Sequence, residues 1–405
     1  MSRDYPVFTV TKKAELSLKN GHPWVYGEEV VSAEEGYSQG DIVDVRGEKG
    51  NYLGSGYVND RSKIRVRVIS NNANDRFDEA FYARQVKYAV DYRRQVMGGD
   101  FSCCRLVFGE ADRLPGLTVD RFENILVTQS LCLGTDRRKG IIFPLIVEYL
   151  RGLGETVDAV YERNDVAIRA LEGMEEYKAF FEADGLQTDL SGHTEITENG
   201  IKYDVDYING QKTGFFLDQK YNRLAVKKIA KGRRVLDCFT HTGAFALNAA
   251  AGGAEAVTAV DISASAIELA KANAERNGAQ MGFIVADVFD LLTELNEKKS
   301  SEYDFIILDP PAFTKSGATA KNAYRGYKEI NMKAMRLLPR GGYLATCSCS
   351  HFMYDDMFRK MLNEAAHDAS VTLRRIEARQ QAPDHPILPT VRETDYLKFY
   401  LFQVV

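Results

Sequence analysis

Two cysteines separated by a single serine, Cys347 and Cys349, close an apolar run in "GGYLATCSCSHFM". In an extended strand residues two apart share a face, so both thiols would point the same way. Zinc pairs run C-x2-C or longer, and no second pair lies elsewhere to complete a tetrahedral site. No metal is expected here. A thiol in this position can add to an electrophilic carbon, or it can pack as a small apolar residue. Cys238, inside another strand-like run, reads as packing.

A second set of residues capable of chemistry is acidic. Asp237 stands at the end of "RRVLDCF", Asp261 at the end of "VTAVDIS" and Asp287 at the end of "FIVADVF", while Asp309 follows "YDFIIL" in "LDPPAF". One acidic strand end is ordinarily a solvated carboxylate or a helix cap. Four in succession on one rim point to a ligand rich in hydroxyls and amines. The loop after the first run, "DCFTHTGAF", holds one glycine, Gly243, where a dinucleotide site would carry G-x-G-x-x-G. A ligand without pyrophosphate is favoured: an adenosine with a charged tail, S-adenosylmethionine. Asp261 is placed to accept both ribose hydroxyls, and Asp287 to accept from the adenine amine.

These residues need a scaffold that brings strand ends together. From 191 to 405 strand-like and helix-like runs alternate, which predicts a parallel, doubly wound sheet with its ligand at the carboxyl ends. Residues 1–75 read instead as short strands and turns. In "SKIRVRVIS" Arg65 and Arg67 fall on one face and Ile64, Val66 and Val68 on the other. Residues 76–190 mix a long helix in "RFDEAFYARQVKYAVDYRRQVM" with strands, and Gly109, Pro115 and Gly116 mark a turn. The fold class is thus α/β, with a β-rich module and a small central α+β domain ahead of a Rossmann-like one.

Bulk composition excludes other classes. Lys+Arg of 52 against Asp+Glu of 57 leaves a net charge of −5 over 405 residues, so any nucleic-acid surface must be local. Six cysteines in so long a chain are no disulfide framework and suggest a reducing, cytoplasmic setting. The opening residues lack the apolar core of a signal peptide, and no run of about 18 apolar residues suggests a membrane span.

The stretches "NGQKTGFFLDQKYNR", "RLVFGEADRLPGLTVDR", "YERNDVAIRALEGM", "LDPPAF" and "CSCSHFM" together resemble the RlmI-type 23S ribosomal RNA cytosine-5 methyltransferases, along essentially the whole chain. The resemblance implies an N-terminal PUA module that binds RNA, matched by "KNGHPWVYGEEV", and 23S ribosomal RNA or an assembling large subunit as partner. It sets no oligomeric state, though a homodimer is allowed. Carried over by position, Asp237, Phe239, Thr242 and Gly243 match the cofactor loop. Asp261 and Asp287 match the ribose and adenine ligands, and Asp309 with Pro310 the motif facing cofactor and target base. Lys212, Thr213 and Gln219 match a segment flanking the cofactor. Cys349 matches the nucleophile, with Asp309 assisting; Cys347 departs from relatives that carry an apolar residue. The alternatives are methylation of an exocyclic amine, for which "DPPAF" would suffice, and an RNA-binding assembly factor without turnover.

Overall fold

The computed structural model describes residues 4–299, 302–314 and 319–405. The chain forms two compact units: the chain up to Ile196 with Asp204–Leu217 and Pro383–Thr394, and Thr197–Tyr203 with Asp218–Ala382 and Asp395–Val405.

The first unit holds two sheets. Strands β1 (Val7–Val10), β2 (Trp24–Tyr26), β3 (Val30–Ala33), β4 (Ile42–Gly47), β5 (Tyr52–Val58) and β6 (Ile64–Ser70) form one, in the order 2-6-5-4-1-3. Its core is built from Phe8, Val10, Val25, Val43, Val45, Val58, Val66 and Val68, the apolar half of the alternating pattern. Strands β7 (Cys103–Phe108), β8 (Leu117–Phe122), β9 (Ile125–Ser130), β10 (Ala159–Asn164) and β11 (Tyr177–Phe180) form the second, in the order 11-10-9-8-7. The long helix Glu79–Met97 packs beside it, started by Asp78, whose carboxylate accepts from the Phe81 amide at 3.0 Å.

The first two of the three sequence textures both fall in the first unit, where the two sheets are bonded to each other. Trp24 Nε1 donates to Glu110 at 2.9 Å. Arg67 donates to Glu110 at 2.9 Å and to Glu172 at 3.1 Å, and Asn59 reaches Glu172 at 3.0 Å. The alternation expected in β6 is present, with Val66 and Val68 buried. Its basic face meets acidic partners within the same unit. Arg67 is enclosed by the two glutamates and lies over the Trp24 ring at 5.5 Å, and Arg65 is paired with Asp60 at 2.6 Å.

A hairpin of β12 (His193–Glu198) and β13 (Ile201–Asp206) follows, and its tip belongs to the second unit. There Glu198 accepts from Arg223 Nε at 2.6 Å, a pair buried on both sides. The second unit is a seven-stranded sheet: β14 (Arg234–Cys238), β15 (Ala256–Asp261), β16 (Gly282–Val285), β17 (Phe305–Leu308), β18 (Tyr343–Ser348), β19 (Leu373–Arg379) and β20 (Lys398–Val404). The order is 16-15-14-17-18-20-19, so the chain reverses direction across the sheet beside β14. Strands β14 to β18 are parallel as expected, but β20 runs antiparallel to both β18 and β19. Among the described residues no α-helix connects β19 to β20. One face packs on helices Lys220–Ile229 and Ala244–Ala251, the other on Val288–Glu297, Ala320–Leu337 and Asp355–Asp368. Among the described residues no helix is long and apolar enough to cross a membrane.

Gly134 shows how tightly the first unit is closed. A Cβ built there would lie 2.1 Å from Tyr57 Cγ, whereas one on Gly140, six residues on, meets nothing within 4 Å. Gly134→Ala is expected to lower stability by about 1–3 kcal/mol through overpacking. Gly140→Ala, on an exposed helix turn, should be neutral or stabilising by up to ~1 kcal/mol. Thermal unfolding of the two variants side by side checks this.

Candidate active site

The loop leaving β14 carries backbone that L-residues rarely adopt: Phe239 has φ 64 and His241 φ 50, followed by Gly243 at φ 80. Such conformations persist only where the surroundings hold them. Two strand-end carboxylates do so. Asp237 Oδ2 accepts from Thr240 Oγ1 at 2.6 Å and from the Ala246 amide at 2.9 Å. Asp261 Oδ2 accepts from the His241 amide at 2.9 Å, and its Oδ1 from the Ser263 amide at 2.9 Å. Thr242 is buried, and its carbonyl accepts from Asn273 at 3.1 Å. Gly243 has a packing reason besides its φ: a Cβ there would come within 3.0 Å of Ala270 Cβ.

Asp287 does not end a strand. Strand β16 stops at Val285, and Asp287 caps the helix Val288–Glu297, its Oδ1 accepting from the Phe289 amide at 2.7 Å. Sequence reasoning missed Ile262. It follows Asp261 directly and is 68% exposed, a bare apolar side chain at the same strand end. The available signal was an aliphatic residue immediately after a strand-end carboxylate. Asp237 itself is fully buried, and among the described residues its Oδ1 has no hydrogen-bond partner. Burial, helped by the charges of Asp309 and Asp261, raises its pKa to about 7. An unsatisfied buried acceptor, a second carboxylate on the next strand and an exposed apolar side chain suit an ammonium-bearing nucleoside. They fit S-adenosylmethionine.

A thiol and an acid meet where β17 and β18 end. Asp309 follows β17, and its Oδ1 accepts from Gln219 Nε2 at 2.9 Å. Gln219 is oriented in turn by Asn222, which donates to its Oε1 at 2.7 Å. Gln219, expected beside the cofactor, thus holds the acid in place. Burial first, then the charge of Asp218, push the Asp309 pKa up to about 7 against the pull of Arg223 and of hydrogen bonds from Cys347 and Gln219. Cys347 is fully buried within the sheet, and burial drives its thiol well above the ordinary range. Cys349 stands one residue beyond β18 and is half-buried, with Sγ 3.9 Å from the Pro310 carbonyl oxygen. Cys238 packs in the core.

Lys398 is a further residue that the sequence reading passed over, although a lysine within "YLKFYLF" breaks an apolar run. It pairs across the sheet with Ser348, is 4% exposed, and donates to the carbonyls of Ser350 at 2.7 Å and Tyr396 at 2.8 Å. Burial lowers its pKa to about 8, opposed chiefly by the charge of Cys349. A cation is therefore held beside the half-buried thiol. Lys212 and Thr213 belong to the first unit. There Thr213 is buried and donates to Asp120 at 2.6 Å, and the Lys212 ammonium lies 4.6 Å from the Phe216 ring centre.

A strand order reversing at β14 with carboxylates along the carboxyl edge defines a nucleoside-binding α/β class, and comparison with known proteins narrows it. The profile of the S-adenosylmethionine-dependent methyltransferases matches residues 169–403, and that of the PUA-like domain residues 8–71. The chain is similar to "Ribosomal RNA large subunit methyltransferase I" of Pseudoalteromonas translucida (strain TAC 125), 38% identical over 394 residues covering 96% of this chain and 97% of the relative. The protein of that name in Aeromonas salmonicida (strain A449) is 40% identical, again covering 96% and 97%. Among solved structures, a putative methyltransferase complexed with SAH shares the fold with a TM-score of 0.82 at 22% identity, over 98% of this chain and 100% of that one. The chain belongs to the ribosomal RNA large subunit methyltransferase I family of S-adenosylmethionine-dependent methyltransferases. Its cofactor is S-adenosylmethionine.

The raised pKa of Asp237 has a consequence for stability. The folded state keeps this proton up to about pH 7, whereas the unfolded chain releases it near the ordinary value of 3.8. The contribution is fully present below pH 3.8 and is lost as pH rises through 7. Asp237→Asn removes the ionisation, so its stability relative to wild type should improve between pH 4 and pH 7.5, by on the order of 3 kcal/mol. Urea unfolding of both proteins across that range checks the slope.

Proposed function

We propose that this protein methylates carbon 5 of a cytosine in 23S ribosomal RNA through a covalent adduct with Cys349. The observation that carries the reading is a half-buried thiol against the Pro310 carbonyl, next to an acid whose pKa is raised to about 7. Support for an rRNA substrate comes from the names of the relatives and from the PUA-like domain.

Carbon 5 of cytosine is too weak a nucleophile to take a methyl group unaided. The Cys349 thiolate adds to carbon 6, and Asp309, still partly protonated at neutral pH, gives its proton to ring nitrogen 3. The product is an enamine with electron density on carbon 5. When bound, the cofactor supplies an electrophilic methyl group. The proton on carbon 5 then leaves to solvent water, its bonding pair re-forms the ring double bond as the carbon–sulfur bond breaks and expels the Cys349 thiolate, and nitrogen 3 returns its own proton to Asp309. Lys398 favours the thiolate by charge and fixes the turn through Ser350 and Tyr396. Cys347, buried with a raised pKa, stays a thiol and donates to Asp309. Cofactor contacts are assigned to Asp237, Phe239, Thr242, Gly243, Asp261, Asp287 and the Asp309–Pro310 turn, with Ile262 offering an apolar face. Lys212 and Thr213 enter this set through the family resemblance alone.

Asp261→Ala should weaken S-adenosylmethionine binding by about 2–4 kcal/mol, the scale of lost charge-assisted hydrogen bonds. Calorimetry on the purified variant measures it, and unchanged affinity in a folded protein removes Asp261 from the site. Cys349→Ala should abolish methyl transfer with cofactor binding intact, whereas Cys347→Ala should keep substantial turnover. Ribosomal RNA containing 5-fluorocytidine should trap the wild type covalently, because fluorine blocks the final proton loss. Peptide mapping should place the adduct on Cys349. Methylation by the double cysteine variant would instead support exocyclic-amine chemistry at the DPP turn.

A further inference from the structure

The basic face of β6 is consumed by internal ion pairs: Arg67 by Glu110 and Glu172, and Arg65 by Asp60. An acidic protein that acts on RNA needs local positive charge elsewhere as well. A cavity of about 470 Å³ lies in the second unit between helices Ala320–Leu337 and Asp355–Asp368. Its rim carries Lys321, Arg325 and Lys360, all exposed, and Tyr324 and Met357 line it, half-buried. Among the described residues none of these three cations forms an ion pair. The neighbouring cations differ: Lys328 is paired with Asp368, and Arg359 with Asp355. Asp356 lines the groove and Glu364, shared with Lys328, lies against the Tyr324 hydroxyl, so the three unpaired cations outnumber these two acids.

The groove also follows the chemistry along the chain. The first helix comes after the segment that opens with Asp309 and Pro310, and the second begins six residues after Cys349. The two segments are tied together, since Ser350 Oγ donates to the Thr314 carbonyl at 3.3 Å. Behind the groove the helices pack through Tyr327 and Phe358, with ring centres 5.9 Å apart, so the cations stand on a rigid base. An aromatic ring with a thioether beside it, rimmed by unpaired cations, is the chemistry that holds single-stranded nucleic acid by base stacking and phosphate contact.

We propose that this groove is an RNA docking site of the catalytic unit, in which Tyr324 stacks on an unpaired base flanking the target and Lys321, Arg325 and Lys360 hold the adjoining phosphates. The inference rests on the reading of the protein as an rRNA methyltransferase and names where the strand is gripped beside the reacting base.

The test uses the full-length protein, in-vitro-transcribed large-subunit rRNA and labelled S-adenosylmethionine. The triple variant Lys321→Ala/Arg325→Ala/Lys360→Ala should raise KM for the RNA at least ~10-fold. It should also flatten the salt dependence of RNA affinity by about two units, near 0.7 per lost phosphate contact on a single strand. Tyr324→Ala should raise KM for the RNA, and Tyr324→Phe should restore it, because stacking needs the ring and not the hydroxyl. Calorimetric affinity for S-adenosylmethionine should match wild type in all variants, and the melting temperature should match in the triple variant and Tyr324→Phe; Tyr324→Ala, which loses packing on the core, is assayed below its own melting temperature. Unchanged KM and salt slope in the triple variant, with wild type active, would overturn the groove alone. Absence of methyl transfer by wild type to any large-subunit rRNA would overturn both the groove and the function it serves.

Discussion

Two carboxyl groups at the carboxyl edge of one sheet, Asp237 fully buried and Asp309 half-buried, are the constraint on which the catalytic unit turns. Asp237 and Asp309 lie on or just past neighbouring strands, and both are pushed up to about pKa 7 chiefly by desolvation. Among the described residues neither is matched by a directly bonded cation: Asp237 is held by a hydroxyl and an amide, and Asp309 by the Gln219 amide and the Cys347 thiol. A buried carboxyl left in this state stores a demand for a partner. In the proposed reading that demand is met at Asp237 by an ammonium and at Asp309 by a ring nitrogen. The rest of the sheet serves to keep these groups dry and close.

The cysteine pair shows the same environment acting in opposite ways on two identical side chains. Cys347 lies within β18, in a face shared with Ala345, Phe399 and Leu401, where its thiolate has no solvent and faces the Asp309 charge. Cys349 lies just beyond the strand, where it meets partial exposure, the Pro310 carbonyl and the charge of Lys398. Two residues of chain separate a buried thiol from a candidate nucleophile. The antiparallel β20 is what brings Lys398 there, so the departure from a purely parallel sheet has a chemical consequence.

Charge on the first unit follows a different logic. Arg67, Trp24, Glu110 and Glu172 bond one sheet to the other, which spends on cohesion a face that looks available in the sequence. Buried ion pairs of this kind are poor contributors to net stability but exacting about geometry. They join two sheets that differ in topology into one unit.

Much of this was legible in the residues alone. Alternating strand and helix patterns, an acid at or just past each strand end, a single glycine in the first loop and two thiols near the end of the fifth strand identify the sheet, the cofactor class and the nucleophile candidates. These are local signals, set by periodicity and by side-chain type. Tertiary structure decided what depends on neighbours distant in the chain. Asp287 became a cap because its strand stopped two residues early, Gln219 turned toward Asp309, and β20 inserted antiparallel with Lys398 beneath Cys349. The fate of Arg67 was likewise set by glutamates 43 and 105 residues away. Desolvation and pairing depend on what surrounds a group in space, and a one-dimensional pattern holds no record of that.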